Sequence, residues 1–227
     1  MYVLHYAPDN ASMIVRLSLD MLGVPFETAL VDRRAGAQRS AAYLALNPNG
    51  LIPVLETPEG PLFETGAILT WLVDTHGGIG PSHGAAARGA WLKWLFYVSN
   101  TLHPALRQTF YADRYIAPDA AAALRAGLAP HITTAFAQLN RIAAEGAILG
   151  SGTGALDAYI AACLRWRTLY PLGDAVGLTL ADTPALARMC ARLEATEACA
   201  RLIKAEGLGP HPFTAPAYPE PPEGTAT

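Results

Sequence analysis

Asn47-Pro48-Asn49-Gly50-Leu51-Ile52-Pro53-Val54-Leu55, followed by Phe63-Glu64-Thr65-Gly66-Ala67-Ile68, is the stretch on which the reading of this chain turns. A turn leads into a short apolar strand entered through Pro53, the strand closes into a hairpin at Pro58-Glu59-Gly60, and a helix opens at Thr65. Pro53 has no N–H to give and is a candidate for the cis form, which leaves the backbone of Ile52 free to pair with something outside the strand. The first turn of the next helix presents N–H groups without partners and the positive end of a dipole, both of which favour a carboxylate. Together the two features predict a site for an extended, peptide-like acid.

Upstream, Val3 to Tyr6 reads as a first strand closed by the Pro8-Asp9-Asn10 loop. A helix from about Ala11 to Leu22 follows, with Ser12 at its start and Gly23-Val24-Pro25 as its stop. Phe26 to Val31 has the alternation of a second strand, Gly36 to Leu46 that of an Ala-rich helix, and Thr65 to His76 that of a third helix. The order is that of an α/β layer.

The glycine-rich run from Gly77 to Gly84 then separates this layer, residues 1–78, from a second half, residues 84–227, in which nothing alternates with period two. Trp91, Trp94, Leu95, Val98, Leu102 and Leu106 recur at helical steps, predicting one long helix from about Ala85 to Tyr111. Asp119 is placed to cap the next helix, in which Pro130 predicts a kink or break. Asp157 to Leu169 reads as a core helix, Thr183-Pro184 opens another ending near Lys204, and the tail from Gly207, with six prolines, reads as extended.

Composition narrows the function classes. A chain of 227 residues, 52% apolar, is long enough for a substantial core, and its net charge of −3 with scattered basic residues leaves no footprint for nucleic acid or an anionic membrane surface. No apolar run approaches the roughly 20 residues of a bilayer span. Cys163, Cys190 and Cys199 have no metal-ligand spacing, and their odd number suits a reducing compartment, so a cytoplasmic location is expected and no metal is.

With the proline strand, the Glu64-Thr65 helix start and the all-helical second half in place, the chain resembles the cytosolic glutathione transferases over nearly its whole length. The resemblance is carried by the first strand and Pro8 loop, Gly23-Val24-Pro25-Phe26-Glu27, the Asn47 to Leu55 segment, Glu64 to Ile68, Asp157, and Pro184 to Met189 with Arg192. It implies a thioredoxin-like N-terminal domain joined to an all-α C-terminal domain, glutathione as co-substrate, and a homodimer. It further implies that Pro53 is cis, that Ile52 hydrogen-bonds the cysteinyl backbone, that Leu51 is among the glutathione-binding residues, and that Glu64 and Thr65 hold the ammonium and carboxylate of the γ-glutamyl end.

In this family a residue near the end of the first strand stabilises the glutathione thiolate for attack on an electrophile. The spacing from Tyr6 to Gly23 is similar to the bacterial beta class without a gap, but the class cysteine falls on Ala11. With no cysteine in residues 1–78, mixed-disulfide chemistry on an enzyme thiol is excluded. Ser12, Asn10 and Tyr6 remain as candidate donors, each with a plain alternative as helix cap, loop amide or packed aromatic. Leu51 and Asn49 depart from the family's polar and basic choices, so Arg33, Arg34 or Arg39 are candidates for the glycyl carboxylate. For the electrophile pocket the resemblance implies the long fourth helix, where Tyr97, His103, Arg107 and Tyr111 are available. Two functions follow: conjugation of glutathione to small electrophiles, with peroxide reduction as a variant, or a glutathione-fold protein that binds ligands or partners without catalysis.

Overall fold

In the first strand, β1 (Tyr2–Tyr6), Leu4 and Tyr6 point to one buried face, the period-two pattern of a strand covered on that side by helices. In this computed structural model, which describes residues 1–146, 149–171 and 180–226, β1 pairs in parallel with β2 (Phe26–Leu30) and antiparallel with β3 (Val54–Thr57). The hairpin β3–β4 (Gly60–Phe63) completes a sheet of order β2-β1-β3-β4. The parallel pair needs a crossover, and α1 (Ser12–Leu22) supplies it, stopped by Gly23 in the left-handed region at φ 65°. The thioredoxin-like layer is therefore as expected, with α3 (Thr65–His76) at the expected bounds.

Between β2 and β3 the expected helix from Gly36 to Leu46 is two pieces. A 3₁₀ turn (Ala37–Arg39) ends at Ser40, whose extended backbone restarts the chain as α2 (Ala41–Leu46) while its hydroxyl accepts from the Tyr43 N–H. A serine that caps cannot also continue a helix. Strand β3 starts at Val54, after Pro53, which has no ladder donor.

Among its described residues the second half is built of helices and has no strand. A continuous stretch comprises α4 (Arg88–Tyr97), a π-type turn at Val98–Leu102, and α5 (His103–Phe110), close to the expected Ala85 to Tyr111. Helix α6 (Ala121–Glu145) runs through Pro130 without a break. Pro130 and Ala126, whose carbonyl loses its donor, are both exposed, so water replaces the missing bond. The cap of α6 is Ala120, and Asp119 lies in a preceding 3₁₀ turn instead. The segment opened by Thr183 is also two helices, α8 (Pro184–Glu194) and α9 (Glu197–Glu206), because Thr196 stops the first and caps the second through the Cys199 N–H.

Helix α7 (Ala155–Leu169) is buried almost all round and forms the axis of the fold. Its start is held by Asp157, whose carboxylate accepts from the N–H groups of Gly150 and Gly154 and from the Ser151 hydroxyl at 2.7–3.0 Å. Gly154 has no side chain to return the favour, so only the acidic half of a capping box is present. One apolar core joins α1, α3 and α7 with α4, α5, α6, α8 and α9. The tail then runs back over this junction. It turns at Gly207, φ 63°, where a β-carbon would sit 2.0 Å from the Glu220 carbonyl oxygen.

Candidate active site

The two halves enclose a cleft of about 870 Å³. Its floor on the sheet side is the segment singled out in the sequence: Leu51, Ile52, Pro53, Glu64 and Thr65 all line it. The Ile52–Pro53 peptide is cis. Tyr43 and Asn47 fix the preceding carbonyl, that of Leu51, with bonds of 2.8 and 2.9 Å, while neither backbone group of Ile52 has a partner among the described residues. An extended ligand has both a donor and an acceptor to pair with there.

At the start of α3 the residue outside the helix is Glu64, with φ 70°, and Thr65 is its first turn. The Thr65 hydroxyl makes no capping bond and is not committed to the helix start. Thr65, Gly66 and Ala67 line the cleft, and the first intrahelical bond is made by the Ile68 N–H. Their N–H groups form the anion-favouring end of α3. The backbone of Glu64 is held in a region costly for a residue with a β-carbon, a strain tolerated where it sets up a site.

Of the three candidate thiol donors, one reaches the cleft. Asn10 lines it, with Oδ1 held by the Ala11 N–H at 2.8 Å and its Nδ2 without a partner among the described residues. Ser12 is fully buried, its hydroxyl donating to the Ala7 carbonyl and accepting from the Ala7 N–H, so it braces the loop behind the site. Tyr6 is also buried: it donates to Glu223 of the tail and lies under the Arg16 guanidinium. Burial, then the Glu223 carboxylate, push its phenol well above the usual range. Neither Ser12 nor Tyr6 lines the cleft, and Asn10 does.

On the helical side His103, Arg107 and Tyr111 line the cleft, joined by Trp166. Tyr97 does not; its ring packs edge-on against Trp94 at 5.4 Å. Arg33, one of the arginines weighed for the glycyl carboxylate, lines the cleft, while Arg34 and Arg39 do not.

What the sequence reading did not find is the brace behind Asn10. Asp9, at φ 48°, is buried and accepts from Arg165 Nε and Nη2, Trp166 Nε1 and the Tyr170 hydroxyl at 2.9–3.0 Å. Its N–H donates to Glu206, which also pairs with Arg16 at 3.0 Å. The loop that carries Asn10 is thus clamped to α7 by the buried Asp9–Arg165 ion pair and to α9 by the Asp9 N–H bond to Glu206, while a second buried ion pair, Arg16–Glu206, ties α1 to α9.

Two buried groups give opposite pH dependences. Burial, helped by the Arg107 charge, lowers His103 from 6.5 to about 4, so at neutral pH its ring is neutral and its Nδ1 meets the Tyr159 hydroxyl at 2.8 Å. Between those values the unfolded chain binds the proton and the native one does not. The His103 contribution is therefore complete above pH 6.5 and lost as pH falls to about 4. Burial raises Glu206 from 4.5 to about 7, against the pull of Arg16, so its contribution is complete below pH 4.5 and lost as pH rises through about 7. Each amounts to about 3 kcal/mol at its limit, and over the shared window they offset one another. His103→Gln is therefore expected to remove the rise in stability that His103 contributes from about pH 4 to 6.5, so that over this range the variant's profile falls relative to the wild type's as pH rises. Urea unfolding at a series of pH values reads this directly, and a variant profile parallel to the wild type would refute it.

Comparison with known proteins follows the same lines. Residues 1–74 match the family described as glutathione S-transferase, N-terminal domain. The glutathione S-transferase GST-4.5 of Xanthomonas campestris pv. campestris is 30% identical over 215 residues, which cover 90% of this chain and 98% of that protein. Among solved structures, a sphingomonad glutathione S-transferase complexed with glutathione is similar at 26% identity with a TM-score of 0.73, covering 91% of this chain and 100% of the other. A glutathione transferase homologue from Sulfitobacter, solved with bound glutathione, has a TM-score of 0.77 at 21% identity over 89% of this chain and 96% of that one, a likeness of fold.

Proposed function

Because the chain belongs to the glutathione S-transferase family, we propose that it binds glutathione along Ile52, ionises the bound thiol beside Asn10, and transfers it to small electrophiles. The observation that carries this reading is the convergence in one cleft of the unpaired Ile52 backbone, the N-terminus of α3 with Glu64 and Thr65, and the amide of Asn10. In it the cysteinyl backbone pairs with Ile52 as an added strand would, and the γ-glutamyl carboxylate meets Thr65 and the α3 N–H groups. Glu64 takes the ammonium, and Arg33 takes the glycyl carboxylate across from Leu51. The working unit is a cytoplasmic homodimer of the family type, and among the described residues no helix is long and apolar enough to cross a membrane.

The chemistry asked of the site is modest. Lowering a thiol from about 8.5 to about 6.5 needs roughly 2.7 kcal/mol of preference for the thiolate. A hydrogen bond from the Asn10 amide to the sulfur anion supplies roughly 1.5–3 kcal/mol, and the N-terminus of α1, which begins beside Asn10, adds a favourable dipole. Conjugation then forms a bond from sulfur to the electrophilic carbon, the thiol proton having gone to solvent, as the leaving group departs with its bonding pair or as a conjugated double bond takes up the pair and then a proton.

The test is the ultraviolet absorbance of thiolate when glutathione is added near neutral pH. A saturable rise is expected, and Asn10→Ala is expected to shift its midpoint up by about one pH unit, an order-of-magnitude loss of thiolate. Glutathione that binds with no thiolate signal would favour the non-catalytic, ligand-binding alternative.

A further inference from the structure

Three guanidinium groups, those of Arg33, Arg107 and Arg114, line the cleft, and none has a carboxylate partner among the described residues. Neutral groups hold them in place. Arg33 donates to the Tyr111 hydroxyl at 2.8 Å, Arg114 lies 4.7 Å from the centre of the same ring, and Arg107 donates to the Tyr115 hydroxyl. Phenols and aromatic faces orient a guanidinium without cancelling its charge. The cleft's own acids do not cancel it either. Asp9 is committed to Arg165, Trp166 and Tyr170, and Glu64, at the start of α3, makes no ion pair with any of the three among the described residues. Three like charges sharing one cleft repel, and an anion placed among them relieves that cost.

We propose that the electrophile taken by this cleft is itself an acid, an aromatic or conjugated compound whose carboxylate is held by Arg107 and Arg114. This rests on the glutathione reading above and adds the substrate class to it. Glutathione has two carboxylates; the α3 N-terminus and Arg33 account for both, which leaves Arg107 and Arg114, on α5 and the turn after it, for the second substrate. Their planar forks suit bidentate contact with a carboxylate, and the rings of Phe110, Tyr111 and Trp166 supply the apolar body of the pocket. In the transfer the glutathione sulfur, its proton already released to solvent, forms the new bond to carbon. The leaving group departs with its bonding pair, or the pair passes into the conjugated system, which takes a proton at carbon. The carboxylate is unchanged and serves only to orient.

The experiment is calorimetric titration with S-(4-carboxybenzyl)glutathione and with S-benzylglutathione, two conjugates that differ by one carboxylate. The wild type is expected to bind the carboxylated ligand about tenfold or more tightly at low salt, the effect of one charge-assisted contact, with the preference shrinking as salt is added. In the Arg107→Gln, Arg114→Gln double variant the ratio of the two affinities is expected to fall towards one. Should that variant not fold, Arg114→Gln alone, at an exposed position, is expected to reduce the same ratio. Equal affinities in the wild type, or a ratio the variants leave intact, would overturn this proposal and leave the glutathione reading standing. Failure of both ligands to bind would overturn the two together.

Discussion

Asp9→Ala is expected to lower the stability of this protein by about 3–5 kcal/mol, the cost of breaking a buried ion pair from one side. Its carboxylate and the Arg165 guanidinium are both fully buried, and the carboxylate also satisfies Trp166 and Tyr170. Without it Arg165 retains only the backbone carbonyls of Leu208, Pro212 and Ala217, and the four hydrogen bonds to the carboxylate lose their acceptor. Part of the loss has another origin, since Asp9 has φ 48° and alanine tolerates that region less well than aspartate. Asp9→Gly separates the two, because it removes the carboxylate and relieves the backbone. It is expected to lose nearly as much as Asp9→Ala. A double variant, Asp9→Ala with Arg165→Met, is expected to recover much of the loss, because no unpaired charge is then left behind. Denaturant midpoints with unchanged slope would measure these values. A loss below about 1 kcal/mol for Asp9→Ala would show that the clamp contributes little.

That clamp also marks the boundary of what was legible in the sequence. The floor of the cleft was readable because its parts are local: Pro53, Glu64 and Thr65 fall within one hairpin and helix start, where the chemistry of each residue type constrains the backbone directly. Asp9 and Arg165 stand 156 residues apart, and nothing in the neighbourhood of either announces the other. Tyr6 is a different case. It shares a strand face with Leu4, a core residue, so the period-two pattern alone argued for a packed phenol and against a donor in the cleft. The orientation of Ser12 had no such signal, because a hydroxyl at a helix start can bond into the helix or back to the loop, and closure of the Ala7 loop chose the second. That Pro130 does not break α6 has a related reason. The cost of a proline inside a helix depends on whether the freed carbonyl meets water, which is a matter of tertiary exposure.

At the other end of the cleft, Thr65→Val is expected to weaken glutathione binding about 10- to 100-fold while leaving stability within about 0.5 kcal/mol. Valine keeps the shape and the branched β-carbon; what it removes is a hydroxyl that makes no capping bond, so the folded protein loses no cap. Thr65→Ser, which keeps that donor, is expected to retain most of the affinity. Glu64→Gly sharpens the argument, because it should move stability and binding in opposite directions. Glutamate at φ 70° carries strain of about 1–2 kcal/mol that glycine does not, partly offset by the greater freedom of glycine in the unfolded chain. The variant is thus expected to unfold no earlier than wild type, and to bind glutathione more weakly because the partner of the γ-glutamyl ammonium is gone. Were Glu64 a structural residue only, its removal would leave the calorimetric affinity for glutathione where it was. A strained acid whose loss costs affinity and not stability is the signature of a backbone held out of its preferred region to place a charge.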